Sequence, residues 1–572
     1  MDRRYLCYGD VIQLRGNEAA DYLSALGFTH TGCFAQALAT PSLRLTSNPR
    51  LLLFQILPRL AYESAQELHR QHISTSALLP HSKSSLLART PEEKAELERL
   101  ASVSQSAQAE QLANSRLVAD MKGEKVRYGQ EIQLKQVVSG AFVQVTSKAA
   151  IDQSCSAAEL AESGSAELYL RIESRHRYHQ AGDQVLYEDL LLLRSAQTGL
   201  YLHCSEHPLP PLSATADTER FPPHPAEVTQ VYAVNFSDLK TVWQAELCAK
   251  AGGSMDLLHH GEVVRLSHVD GAIEADGRNV YVALREKRTA AEGLFVLEGG
   301  EGQWRLRHLL SNRLLVLEGE ELGISAEGSI LRFYSPSERL LSDLSSGLLI
   351  KLAGPDDLRF ISTAGRLPDS LGTASAFFEP LPLDPVPRLL LNSSQAQDDA
   401  FLLVRADLEE VGEVEFLLST RNSLYLYAAE LQQAHESPSH PEVERVLSEL
   451  VLFVLETDSE DPWTCEGPPH PRRQDLMRET GVISLVAGLL SAAFDSGLYV
   501  LERLKQSDPV VRVCSLAYRI LQHASADSRS NERYCAQWIP LYLSHIQRSH
   551  EAASVGAEET LTEILSDIDH GG

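Results

Sequence analysis

The run Pro471-Arg472-Arg473-Gln474-Asp475-Leu476-Met477-Arg478-Glu479 carries the most specific chemistry in the sequence. It follows a proline-rich loop and reads as a helix start, with proline suited to the first turn. Arginines there oppose the helix dipole, which favours anions at that end. Backbone N–H groups and guanidinium forks can instead converge on an external anion such as phosphate. The alternative is a solvated basic turn that pairs with the chain's surplus acids. Other constellations are weaker. There is no phosphate loop, GxSxG, HExxH or DxDxDG motif, so neither catalysis nor a cofactor is expected. Gly299-Gly300-Glu301-Gly302 has no helix pattern after it and reads as a hairpin turn. His176 and His179 on a strand would face opposite sides, which argues against a shared metal. The eight cysteines are scattered from Cys7 to Cys535 without a CxxC pair, so reduced thiols are expected rather than a metal site or a disulfide framework.

The elements that must position these groups come in two kinds. Up to about residue 405 the sequence repeats a β-hairpin. Ile132 and Leu134 alternate with Glu131, Gln133 and Lys135, Ser139-Gly140 supplies the turn, and Phe142 opens the returning strand. Similar hairpins start at Tyr8-Gly9-Asp10, Tyr187-Glu188-Asp189 and His260-Gly261-Glu262, with weaker copies at Trp304–His308 and Leu348–Leu352. A hairpin cannot bury its apolar face alone, so the copies are expected to close on one another as small β-barrels. After Asp407 the period changes. Val443, Val446, Leu447, Leu450, Val451, Val454 and Leu455 form one helical stripe, and further stripes follow at Val482–Leu490, Val510–Leu521, Tyr534–Ile546 and Leu561–Ile568. Successive short helices with apolar stripes predict a helical solenoid.

The chain has 572 residues, too many for one core. A net charge of −27 argues against nucleic acid as the partner of the whole chain, because phosphate backbones demand a basic face. The N-terminus lacks the apolar core of a signal peptide and no apolar run approaches the roughly 18 residues of a membrane span, so a cytosolic location without membrane contact is expected. A polar insert rich in Ala, Gln and Glu interrupts the first β region at about 60–122, opened in part by Pro91 with Thr90 as its expected cap. It reads as a projecting helical arm, either solvated or touching a neighbouring subunit. The proline-rich stretch from His207 to Pro225 reads as a linker. The expected units are therefore residues 1–212, 213–406 and 407–572.

Several strings resemble the N-terminal region of the inositol trisphosphate receptor and ryanodine receptor family, over nearly the whole chain. Tyr8-Gly9-Asp10-Val11 and the other hairpins are similar to its first trefoil and its MIR repeats. Leu53-Phe54 through Pro58, with Tyr62-Glu63-Ser64-Ala65-Gln66, resembles the beginning of its helical arm. Gly261-Glu262-Val263-Val264-Arg265-Leu266 resembles the opening of its second trefoil. Arg473-Gln474-Asp475-Leu476-Met477-Arg478-Glu479 and Leu516-Ala517-Tyr518-Arg519-Ile520-Leu521-Gln522-His523 resemble its RIH helical domain. The details favour the inositol trisphosphate branch, and Arg529-Ser530-Asn531 has a ryanodine-receptor character. The resemblance implies two β-trefoils, the first carrying the arm, followed by an armadillo-like RIH domain. It also implies a tetrameric calcium-release channel of the endoplasmic reticulum membrane, with this region on the cytosolic face and inositol trisphosphate held between the second trefoil and the helical domain.

The ligand positions implied by the resemblance transfer in part. In the second trefoil Arg265 matches, whereas a family lysine falls on Ile273. The family's phosphate loop falls on the Arg285-Glu286-Lys287-Arg288 stretch, which keeps the basic residues Arg285, Lys287 and Arg288 but lacks the Thr-Thr-Gly turn. In the helical domain the family's basic triplet falls on Pro471, Asp475 and Arg478, so Arg478 matches and Asp475 reverses a charge; Arg472 can stand in for the first, beside Arg473. The family's Tyr-Arg-Lys falls on Ser528-Arg529-Ser530, which keeps Arg529. A hydrogen bond to a charged group is worth about 1.5–3 kcal/mol, so losing three or four costs on the order of 5–10 kcal/mol. Two readings follow: a sensor that binds a phosphorylated inositol weakly, or a structural gating ring without that site. Asp475 is expected to tie up Arg478 or to repel a phosphate.

Overall fold

The computed structural model describes residues 5–16, 21–25, 33–37, 49–76, 91–150, 154–161, 168–176, 179–187, 189–208, 228–251, 257–267, 271–275, 280–284, 291–300, 302–318, 321–325, 328–337, 339–353, 360–363, 389–392, 401–433, 441–455, 457, 461–495, 501, 505, 508–548 and 555–566. Among them, the strands precede Asp407, interrupted by two helices between residues 63 and 121 and by short 3₁₀ turns, and the other helices follow it. Twelve antiparallel strands form a first sheet that runs from Val11–Gly16 to Val242–Ala249 and turns back on itself through the additional pairing of Val228–Val234 with Ser156–Ala161. Alternation sets the register. Ile12 and Leu14, Ile132 and Leu134, and Leu191 and Leu193 all enter one core with Trp243.

Three hairpin openings meet in a backbone ring. Leu6 N–H donates to Val185 C=O (2.9 Å), Val185 N–H to Val126 C=O (3.0 Å), and Val126 N–H to Leu6 C=O (2.8 Å). Beside each member an acidic or amide side chain accepts from the N–H three residues back: Asp10 from Cys7 (2.7 Å), Gln130 from Arg127 (2.8 Å) and Asp189 from Leu186 (2.9 Å). Glu262 does the same with His259 (3.1 Å) in the second β unit. Gly9, Gly129 and Gly261 have φ between +84° and +87°, a conformation that side-chain-bearing residues rarely adopt. That requirement explains why the Gly-acid/amide signature repeats in the sequence.

The expected boundary at 212/213 is corrected. Val228–Val234 pairs antiparallel with Tyr201–Pro208 across the proline-rich stretch, and Val242–Ala249 pairs with both Val11–Gly16 and Leu190–Ser195. Trp243 is fully buried and its indole N–H donates to Leu202 C=O at 3.0 Å. The proline-rich stretch thus joins two adjacent strands of one sheet rather than two units; residues 209–227 themselves lie outside the described residues. The first unit reaches Ala251, and the second β unit begins at Leu257.

The arm consists of α1 (Glu63–Ser76) and α2 (Pro91–Met121). Pro91 opens α2 as expected, while Thr90 lies outside the described residues. Glu110 of α2 accepts from the N–H groups of Ser64 (2.9 Å) and Ala65 (3.2 Å), serving two donors left open at the start of α1. Asn114 both donates to and accepts from the Ala61 backbone. At the base, Leu60, Tyr62, Phe142 and Tyr169 form a separate apolar cluster joined by Val118.

The second β unit contains another twelve-stranded antiparallel sheet among the described residues, Val263–Ser267 to Phe401–Arg405. The Gly299–Gly302 stretch turns a hairpin in which Gly300 pairs with Gln303, as its composition predicts. From Leu408 onward come α3 (Leu408–Gln433), α4 (Pro441–Val454), α5 (Pro471–Glu479), α6 (Val482–Asp495), α7 (Pro509–Ser525), α8 (Arg529–Cys535), α9 (Ile539–Arg548) and α10 (Ala557–Ser566). The only described β pairing there is the isolated bridge of Leu455 with Pro469. The α7 stripe Val510, Val513, Cys514, Ala517, Leu521 and Ala524 is buried, which is what its helical period predicts. The helical core is continuous with Val263, Ala291, Leu294, Val296, Leu309 and Leu310 of the second β unit. Among the described residues no single helix is long and apolar enough to cross a membrane.

Candidate functional site

The helices meet the second β unit along a charged junction. Strand alternation sends Val264 and Leu266 into the barrel core, while Val263 joins the helical core and Arg265 points to the same side as Val263. Gly293 makes room there: a Cβ at that position would lie 2.6 Å from an Arg265 terminal nitrogen. Arg265 donates to Glu410, in the first turn of α3. That turn is fixed by Asp407, whose carboxylate accepts from Glu409 N–H (2.9 Å) and Glu410 N–H (3.3 Å).

The helix α5 closes the junction from the other side. Its cap residue His470 makes no side-chain capping bond. Glu410 and Glu413, three residues apart on one face of α3, stand against its first arginines. Arg472 lies 3.5 Å from Glu410 and 3.7 Å from Glu413, and Arg473 pairs with Glu413 at 2.7 Å. Arg473 also donates to Phe453 C=O (3.1 Å) and covers the Phe453 ring at 5.0 Å. These arginines therefore face internal acids, the arrangement the sequence offered as the alternative to an external anion. Glu410 touches cations from both sides, Arg265 of the β unit and Arg472 of α5.

The far end of α5 makes a second crossing. Glu479 accepts from Ala291 N–H of the second β unit at 3.1 Å. Burial pushes its carboxyl up to about 7; the Ala291 N–H bond opposes the shift, Glu292 adds to it, Arg478 opposes it and Asp475 adds to it. Arg478 pairs with Asp475 at 2.8 Å and donates to Asn531 Oδ1. Asn531 is fully buried and its amide donates to Gln474 C=O (2.9 Å) and Ala524 C=O (2.8 Å), so it fixes α8 against α5.

Of the residues singled out in the sequence, the structure thus brings Arg265, Arg472 and Arg473 into one ion-pair chain and places Arg478 on the same helix as the last two. Arg529 is exposed at the first position of α8, two residues before Asn531. Arg285, Lys287 and Arg288 lie outside the described residues. Ile273 is fully buried in the second barrel core, so the family's lysine position falls on a core residue in this chain. Glu410, Glu413, Glu479 and Asn531 had no individual signal in the sequence. The available hint was the Glu410/Glu413 spacing, which places both acids on one helical face.

Comparison with known proteins bears on both ends of the chain. A family model described as "Inositol 1,4,5-trisphosphate/ryanodine receptor" matches residues 1–221. A second, described as "RIH domain", matches residues 444–570. The first contains the backbone ring and the arm; the second contains α5 to α10. Together they span more than half of the sequence, the second taking in the α5 side of the charged junction, and the chain belongs to the inositol 1,4,5-trisphosphate/ryanodine receptor family.

Proposed function

We propose that this chain is the cytosolic sensing and gating region of an intracellular calcium-release channel of the endoplasmic reticulum. Its three units are a β-trefoil with a helical arm up to about residue 251, a second β-trefoil of the MIR type to about 406, and an armadillo-like RIH unit from 407. The region works by binding and conformational coupling rather than catalysis, assembled with other subunits of a tetramer through contacts that include the arm. The threefold backbone ring supports the trefoil assignment.

The junction between the second β unit and the helices receives inositol trisphosphate or a related phosphorylated anion, weakly. The observation that carries this reading is that guanidinium groups from both sides, Arg265 and the α5 arginines Arg472 and Arg473, stand at one junction, with Arg478 further along the same helix. Arg285, Lys287, Arg288 and Arg529 belong to the same proposed set. Internal acids neutralise much of this charge, and for that reason binding is weak. Calorimetric titration of the chain with inositol trisphosphate at 0.15 M salt tests it. The expected dissociation constant is weaker than about 10 µM, equivalent to less than about 7 kcal/mol. Submicromolar binding refutes the weak-site reading. A specific observation favours a second reading, a structural gating junction without an inositol phosphate site: Glu410 already serves Arg265 and Arg472. Absence of binding even after Asp475→Lys selects it.

A further inference from the structure

We infer that Glu410 is a built-in anion that clamps the second β unit onto the helices without any ligand, and that it competes with an external anion for Arg265 and Arg472. The clamp follows from the geometry. Glu410 belongs to α3, yet its carboxylate is the acceptor for an arginine of the β unit and lies 3.5 Å from an arginine at the start of α5. The Arg265 and Glu410 side chains are only 14% and 17% exposed, so solvent screens their attraction little. Gly293 leaves the space in which this guanidinium reaches across. A phosphorylated ligand that bridges the junction must take these two guanidiniums from Glu410. Its net gain is then the difference between two charge-assisted interactions rather than the whole of one. Glu413 holds Arg473 at 2.7 Å, so α5 keeps an anchor on α3 when Arg265 and Arg472 pass from Glu410 to the ligand.

The competition rests on the anion-site reading above; the clamp does not. The test uses the whole chain, wild type and Glu410→Gln, which keeps the side-chain volume and removes the charge. Ala291 N–H, which bonds to Glu479 across the same junction, reports opening through its hydrogen-exchange rate. With no ligand present, exchange at Ala291 is expected to be at least about tenfold faster in Glu410→Gln, while the buried Leu315 amide of the same β unit is unchanged. A rate within twofold of wild type overturns the clamp, whatever the binding result. Inositol trisphosphate is then the probe in calorimetry, and it is expected to bind Glu410→Gln at least about tenfold more tightly. Equal or weaker binding than a measurable wild-type value overturns the competition. Faster exchange with no binding to either protein leaves the clamp standing and refutes the anion site instead. Should Glu410→Gln not fold, Arg265→Gln removes the β-unit end of the same clamp and is expected to speed exchange at Ala291 in the same way; a rate within twofold of wild type overturns the clamp.

Discussion

Arg50 offers the sharpest test of how the three units are held together. It lies in the short 3₁₀ turn Pro49–Leu52 of the first β unit. Its guanidinium pairs with Glu415 of α3 and donates to Gly261 C=O of the second β unit at 2.8 Å. One side chain thus touches all three units, and the Arg50 and Glu415 side chains are 10% and 6% exposed. Arg50→Met leaves Glu415 as a buried carboxylate without its guanidinium, which costs about 3–5 kcal/mol. Within that figure, the unpaired Gly261 carbonyl accounts for about 1 kcal/mol. Arg50→Met with Glu415→Leu removes both charges. It is expected to recover at least about 2 kcal/mol, because apolar replacement of a buried pair is near neutral while the Gly261 loss persists. A chain of several units does not unfold in one step. The measurement is therefore urea unfolding by tryptophan emission, with hydrogen exchange identifying which unit detaches first. A cost below about 1 kcal/mol for Arg50→Met, or a double variant whose cost equals the sum of the singles, refutes the reasoning.

Four further outcomes are expected. Asp475→Lys removes the carboxylate paired with Arg478 and raises inositol trisphosphate affinity by about tenfold, a gain that shrinks between 0.05 and 0.5 M salt; calorimetry at the two ionic strengths checks it. The Glu479 carboxyl sits at about 7 in the folded chain, above its unfolded value. The folded state therefore holds the proton more tightly, and this group's contribution falls as pH rises from about 4.5 to 7, by on the order of 2–3 kcal/mol. Burial, aided by Arg519, lowers His523 to about 4, so its contribution has the opposite sign and is lost as pH falls from about 6.5 to 4. Glu479→Gln should remove the first slope and leave the second, as read from urea midpoints across that range. Asn531→Leu removes the amide bonds to the Gln474 and Ala524 carbonyls and takes one acceptor from Arg478, leaving Asp475, which costs about 2–4 kcal/mol in the helical unit by thermal unfolding. Glu110→Ala weakens the start of α1 by about 1 kcal/mol, seen as faster exchange at Ser64 and Ala65 with the first core unaffected.

Periodicity made much of the fold legible. The Tyr8-Gly9-Asp10 and Tyr128-Gly129-Gln130 signatures mark hairpin openings because a left-handed glycine and an acceptor side chain are both needed there. The stripes from Val443 onward mark helices because an apolar face must be buried. The end of the first unit was not legible. A proline-rich stretch has the same composition whether it links two units or two neighbouring strands, and only the pairing of Val242–Ala249 with Val11–Gly16 distinguishes them. The arginines of α5 stood out because they oppose the helix dipole. Their partners did not, since Glu410 and Glu413 are two of 78 acidic residues and acquire meaning only when α3 is laid beside α5. Ile273 shows the opposite limit, where alignment to a ligand position conflicts with its place in the barrel core.

The backbone ring through Leu6, Val126 and Val185 has a consequence for how the protein is made. Each bond joins segments more than 50 residues apart, and the strand that pairs with Val11–Gly16 and Leu190–Ser195 ends only at Ala249. Until that strand leaves the ribosome, the edges of both earlier strands remain open. At 5–20 residues per second this exposure lasts on the order of ten seconds or more from the first hairpin onward. The α1–α2 hairpin rests on local contacts, which form far sooner than the ring can close. Synthesis therefore presents a formed helical arm on an unclosed sheet, and its exposed strand edges are where a chaperone must act first.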